Sequence, residues 1–195
     1  MTEFELIDQK LRVRLPKEGD LNIDPSGPKR AAVVLMLRNR AGHAEVLIIK
    51  RAEHPQDPWS GHLALPGGRV DPGDKDLRDT AARETLEEVG IDLDAGGEIL
   101  GYLNTVWPGN PRLPTIAITP LVAIAPPDAV VRANKEEVDD AFWLPLALLR
   151  QQGRSDVVQF TVHGQIRQWL AYPSSRGSIW GLTERILTQL LALLD

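Results

Sequence analysis

The chain has 195 residues, 43% apolar and 25% charged, a composition that supports a buried core and excludes a disordered or low-complexity polypeptide. The absence of cysteine excludes a disulfide scaffold, thiolate zinc sites and cysteine nucleophiles, and fits a reducing compartment. A formal charge of -5 argues against a broad basic surface, so no nucleic-acid partner is expected.

Residues 1–29 are expected to form an N-terminal helix and loop that pack on a main domain spanning 30–195. Glu3 to Leu15 has the apolar spacing of a short amphipathic helix. Pro16 to Pro28 is a loop by its turn residues. The run Ala31 to Leu37 predicts a strand covered on both faces. A hairpin loop from Arg38 to His43 leads to a second strand over Glu45 to Arg51. After a loop from Glu53 to Gly61, a short strand over His62 to Leu65 runs into Pro66-Gly67-Gly68. Leu77 to Val89 is the clearest helix, with Asp76 as its N-cap and Gly90 as its stop. Further strands are expected over Leu100 to Leu103, Ile116 to Ile124 and Ala141 to Leu144, with a short helix over Pro145 to Gln151. A hairpin around Gly164 and a closing amphipathic helix over Ile179 to Leu194 complete the chain. Interleaved strands and helices with hairpin links indicate an α/β fold built on a mixed sheet. No apolar run reaches the roughly 20 residues of a bilayer span. The acidic start Met-Thr-Glu-Phe-Glu lacks the layout of a signal peptide. No membrane partner and a cytoplasmic location are therefore expected.

Chemistry concentrates in the segment from Leu65 to Ile91. On a wheel of about 100° per residue, Ala82, Leu86 and Val89 gather on one side. Glu84, Glu87 and Glu88 fall within an arc of about 100° on the other, predicting a buried apolar face with three carboxylates opposite it. Each like-charge pair at this spacing costs about 0.2–0.5 kcal/mol. The C-terminal end of the helix dipole also disfavours anions. A hard divalent cation, Mg²⁺ or Mn²⁺, reverses that penalty, because it takes oxygen ligands and substrate phosphates. Arg83, one turn before Glu87, can hold that carboxylate in place. An acidic helix face alone is usually only solvated. The glycine pair Gly67-Gly68, which lets backbone approach a ligand closely, makes the combination more telling.

The run Arg83-Glu84-Thr85-Leu86-Glu87-Glu88-Val89-Gly90-Ile91, with Gly68 before it, resembles the signature of the Nudix hydrolases. Thr85 stands where that signature has an apolar residue, and Gly68 to Arg83 is one residue longer than its general pattern. Asp74 and Asp76 are both candidates for its loop acid. The longer loop from Gly67 to Asp76 is similar to that of the coenzyme A pyrophosphatase branch. So are Lys50-Arg51-Ala52, the Gly61-x-x-x-Leu65-Pro66-Gly67-Gly68 spacing and the segment Ile179 to Leu187. Two branch features are absent: no Arg lies between Ala52 and Gly61, and Leu65 replaces the usual Phe.

The resemblance implies a Nudix-like α/β/α sandwich over 30–195 and metal-dependent hydrolysis of a nucleoside diphosphate derivative. Coenzyme A, cut to 3′,5′-ADP and 4′-phosphopantetheine, is the first choice. ADP-ribose, a dinucleotide or a nucleoside triphosphate is the alternative, and a non-catalytic nucleotide-binding or regulatory module the more distant one. It also implies that Gly68, Glu84, Glu87 and Glu88 hold the metal, that Arg83 and Glu87 are catalytic, and that Glu137 or a helix glutamate takes the water's proton. Arg51 and Arg69 are the substrate-binding candidates, since guanidinium groups pair with phosphate oxygens in bidentate fashion. On composition alone Glu137 reads first as part of a solvated charge run, Glu136 to Asp140. His54, His62 and His163 show no transition-metal spacing. Trp180 reads as core, or as an adenine-stacking ring. The closing helix has an apolar side wide enough to bury within the chain or to join a homodimer.

Overall fold

The computed structural model describes residues 1–17, 21–24, 26–55, 59–109, 115–162 and 165–195. His163 and Gly164 lie outside them, as do parts of the two loops expected near residues 20 and 57.

Helix α1 (Glu3–Arg14) opens with a capping box, Thr2 and Glu5 each bonding the other's backbone N–H. Strands β1 (Arg30–Arg40) and β2 (His43–Arg51) form the expected hairpin around Ala41 and Gly42. They pair only from Leu37↔Val46 to the turn. Beyond that point they part, and the next segment fills the wedge. β3 (Leu63–Ala64) pairs with β2, and β4 (Gly67–Arg69) pairs with β1. On its other side β1 runs parallel to β6 (Ala117–Ile124), which pairs with β5 (Glu98–Tyr102), while β7 (Val138–Pro145) pairs with β2. These seven strands make one mixed sheet.

Helix α2 (Leu77–Val89) covers one face, packing Leu77, Ala81 and Val89 against Val34, Met36, Leu47, Ile49 and Leu121. Helices α1, α3 (Leu146–Gln152) and α4 (Gly181–Leu194) cover the other, through Ile7, Leu11, Leu149, Ile186, Leu187 and Leu190. The result is a three-layer α/β/α arrangement, with the apolar stripe of α4 buried within the chain.

Two local expectations are corrected. The closing helix begins at Gly181, and Gly177–Ile179 is instead strand β10 of a three-stranded antiparallel sheet with β8 (Asp156–Val162) and β9 (Gln165–Ser174). The faces of α2 are also rotated from the wheel reading. Leu86 is 51% exposed, whereas Thr85 and Glu88 are buried beside Leu77, Ala81 and Val89. Beyond Leu77, the compact side chains of Ala81, Thr85 and Val89, spaced by four, let this helix lie close on the sheet. Leu86 is roughly 160° round the helix from Glu88 and points to water.

Candidate active site

The wedge between β1 and β2 places the glycine pair against α2. Gly67 has φ 142°, and a Cβ there would lie 2.3 Å from the Ala32 carbonyl oxygen. Only glycine lets β4 sit this close to β1. At Gly68 a Cβ would stand 2.4 Å from the Glu84 carboxylate carbon, so the constraint there comes from the helix. The other end of the loop is fixed by Asp76, whose carboxylate accepts the Arg78 and Asp79 N–H groups at 2.7 and 3.1 Å.

Glu88 occupies the middle of the buried stripe, 2% exposed. It accepts the Gly67 N–H at 2.9 Å, and the Arg51 guanidinium stands 3.7 Å from its other oxygen. Burial outweighs both contacts and lifts its carboxyl to about 7, with Glu84 and Glu137 adding repulsion. Glu84 is also raised, chiefly by burial, against the opposing pull of Arg83.

Arg83 ties the site together. Its Nε and Nη2 donate to the two Asp74 oxygens at 2.9 and 3.0 Å, and Nη2 also reaches the Arg69 carbonyl at 3.0 Å. Nη1 donates to Glu84 at 2.9 Å and to Glu87 at 3.1 Å. The Arg83 hydrogen bonds hold Asp74 down to about 2, and those from the Asp71 N–H and the Thr80 hydroxyl add to them. Asp74 is therefore the acid that answers Arg83, and Asp76 is the helix cap. The sequence left both open because the longer loop shifts the count by one.

The other expected residues lie around this centre. Glu137, exposed in the turn before β7, accepts a bond from the Asn134 amide at 3.2 Å, and its backbone carbonyl accepts the Ala52 N–H. The Arg69 side chain is exposed, and its backbone carbonyl is the part that touches Arg83. Asp139 and Asp140 of the charge run are engaged in ion pairs, with Lys50 at 2.8 Å and with Arg176 at 2.7 Å. Trp180 belongs to neither buried core. It packs in an aromatic group with His62, Phe160 and Trp169.

Glu84 and Glu87 both turn to Arg83, and among the described residues no three acidic or histidine side chains stand close enough to hold an ion as they are. The donor chemistry nevertheless fits a hard divalent cation. Two desolvated carboxylates offer oxygen donors, the missing Cβ of Gly68 leaves room for that of Glu84, and a cation relieves the cost of their burial.

Comparison with known proteins is consistent with this geometry. The NUDIX domain family model matches residues 27–163. The human mitochondrial coenzyme A diphosphatase NUDT8 is 34% identical over 169 residues, covering 86% of this chain and 70% of that protein. Among solved structures, a MutT/nudix family protein from Enterococcus faecalis superimposes with a TM-score of 0.58 at 18% identity, over 98% of this chain and 69% of that one. The NUDIX domain of Shewanella oneidensis NrtR, solved with ADP ribose, gives 0.51 at 24% identity, over 77% and 88%. Both share the fold. With the domain match spanning well over half of its length, the chain belongs to the Nudix hydrolase family.

Proposed function

We propose that this enzyme hydrolyses the diphosphate of coenzyme A or a derivative, giving 3′,5′-ADP and a 4′-phosphopantetheine product. The observation that carries the substrate is the likeness to a coenzyme A diphosphatase along 86% of the chain. The geometry around Arg83 and Gly67-Gly68 supports the reaction class. Nudix hydrolases use divalent metal ions, and here Mg²⁺ or Mn²⁺ would be held by Glu84, Glu87 and Glu88 with the Gly68 carbonyl. Such an ion neutralises phosphate charge and lowers the pKa of the attacking water.

The remaining work falls to the chain itself. Asp74 and the Arg69 carbonyl hold Arg83, and Arg83 orients Glu84 and Glu87. Arg51, beside Glu88, and the exposed Arg69 pair with phosphate oxygens. A glutamate of the site, Glu137 or one on α2, accepts the water's proton. A second reading, ADP-ribose as substrate, is favoured by the absence of Arg between Ala52 and Gly61.

One panel tests both. Coenzyme A, its 3′-dephospho form and ADP-ribose are assayed with Mg²⁺, Mn²⁺ and EDTA. A charge-assisted contact to the 3′-phosphate is worth about 1.5–3 kcal/mol. The expected kcat/KM for coenzyme A is therefore roughly tenfold or more above the dephospho form, with no turnover in EDTA. Equal rates, or a preference for ADP-ribose, would refute the coenzyme A reading. Full activity in EDTA would refute the metal mechanism.

A further inference from the structure

The β8–β9 hairpin and the head of α4 carry an aromatic group that neither core uses. Phe160 lies 4.8 Å from Trp180 with the rings tilted by 38°, and 5.8 Å from Trp169. Trp180 in turn meets the edge of His62 at 4.8 Å. Phe160 is 41% exposed, and His62, Trp169 and Trp180 are each partly exposed. Apolar rings left in water at one place carry a cost that a folded chain avoids unless something covers them.

Strand register fixes where His62 stands, and the ring contacts place the others beside it. Ile49↔Ala64 and Lys50↔Leu63 are partners, and the Arg51 N–H continues the ladder to the His62 carbonyl at 3.0 Å. Directly opposed residues project from the same face. Arg51 projects toward Glu88, so His62 leaves the sheet on the diphosphate side, one cross-strand step from that guanidinium. Arg167, the cross-strand partner of Phe160, adds a cation on the aromatic face. An aromatic surface bordered by cations, beside a site for a diphosphate, matches an anionic molecule with a flat π-ring one sugar away from its phosphates.

We propose that His62, Phe160, Trp169 and Trp180 form the platform on which the purine base of the substrate stacks, and so select for a nucleoside at one end of the diphosphate. This rests on the hydrolase reading for what occupies the neighbouring site. Losing one stacked ring of the platform is expected to cost about tenfold in affinity, or about 1.4 kcal/mol.

The test uses the whole chain and two probes, ADP and inorganic pyrophosphate, titrated calorimetrically at fixed Mg²⁺. Phe160→Ala is expected to weaken ADP about tenfold and to leave pyrophosphate within about twofold. Phe160→Tyr should restore ADP binding and Phe160→Leu should not, since leucine keeps apolar volume without a π face. These two variants also keep the test valid if the alanine variant folds poorly. In turnover, Phe160→Ala should raise KM about tenfold with kcat nearly constant. Unchanged ADP affinity, an equal loss for pyrophosphate, or full recovery with leucine would overturn the proposal, the last by assigning the surface to an apolar arm. Base-dependent ADP binding without hydrolysis of any diphosphate would keep the platform and remove the hydrolase reading. Hydrolysis with base-independent affinity would do the reverse.

Discussion

Glu88→Gln separates what this carboxylate costs the fold from what it gives the site. The side chain is 2% exposed, and burial lifts its carboxyl from the ordinary 4.5 to about 7. That difference of roughly 2.5 pH units corresponds to about 3 kcal/mol. The folded protein holds the proton more tightly than the unfolded chain does. The associated stability is therefore fully present below about pH 4.5 and lost as the pH rises through about 7. Glutamine keeps the shape and can still accept the Gly67 N–H, but does not titrate. In EDTA, the variant's stability relative to wild type should grow by about 3 kcal/mol between pH 4.5 and pH 8. Urea unfolding at half-unit pH steps, with m-values checked for constancy, measures this directly. Saturating Mg²⁺ should reverse the order at pH 8, because an ion that binds only the folded wild type adds about 4.1 kcal/mol at a thousandfold excess over its Kd. A stability difference that stays flat with pH would refute the assignment of Glu88 as a desolvated carboxylate.

Glu87 is exposed and shares Arg83 Nη1 with Glu84, so Glu87→Gln should cut turnover at least about a hundredfold while stability in EDTA changes by less than about 0.5 kcal/mol. Near-normal turnover would remove it from the site. Gly68→Ala should displace the Glu84 carboxylate and abolish activity in a protein that still melts cooperatively. Gly67→Ala meets backbone on β1 instead, and should lower the melting temperature sharply. Among the described residues the buried Thr85 hydroxyl has no hydrogen-bond partner, so Thr85→Val should leave stability equal or raise it by about 1 kcal/mol, read from thermal melts. A loss of more than 1 kcal/mol there would show that the hydroxyl does have a partner.

The boundaries of α2 were legible because both its signals are local. Asp76 reaches N–H groups two and three residues on, and Gly90 takes φ 68° at the stop. The continuous apolar run of β1 likewise announces burial on both faces. Which side of α2 faces the sheet was not legible. Counting apolar residues selects Leu86, but the parting of β1 and β2 creates a gap that accepts Thr85 and Glu88. That gap depends on pairings between residues more than 30 apart in sequence, such as Ala32↔Gly68. Asp74 was obscured for a related reason, since its partner Arg83 is set by the path of the loop and not by spacing. The closing helix is expected to start at Ile179 because that residue continues the apolar pattern of α4 backward, whereas pairing with Tyr172 of β9 draws it into a strand.

The buried glutamates and the arginine network can be understood together. A carboxylate at the centre of a helix–sheet contact is a poor choice for stability, and two of them side by side are worse. The fold tolerates the arrangement through Arg83. Asp74 grips this side chain by two oxygens from the loop, and the Arg69 carbonyl holds it from β4. With three of its contacts taken by the loop and strand, the guanidinium has one nitrogen for Glu84 and Glu87 together. Each glutamate thus receives one shared bond, enough to limit repulsion and too little to neutralise it. Glu88 receives less, a single backbone N–H and an arginine at 3.7 Å. On the reading proposed here, the incomplete compensation is functional. Were each carboxylate fully paired within the chain, an incoming cation would have to break strong buried ion pairs to reach its ligands. Left under-neutralised in a setting that already raises their proton affinity, Glu84 and Glu88 gain from any positive charge that enters. The stability forgone at neutral pH thereby becomes binding free energy for the ion.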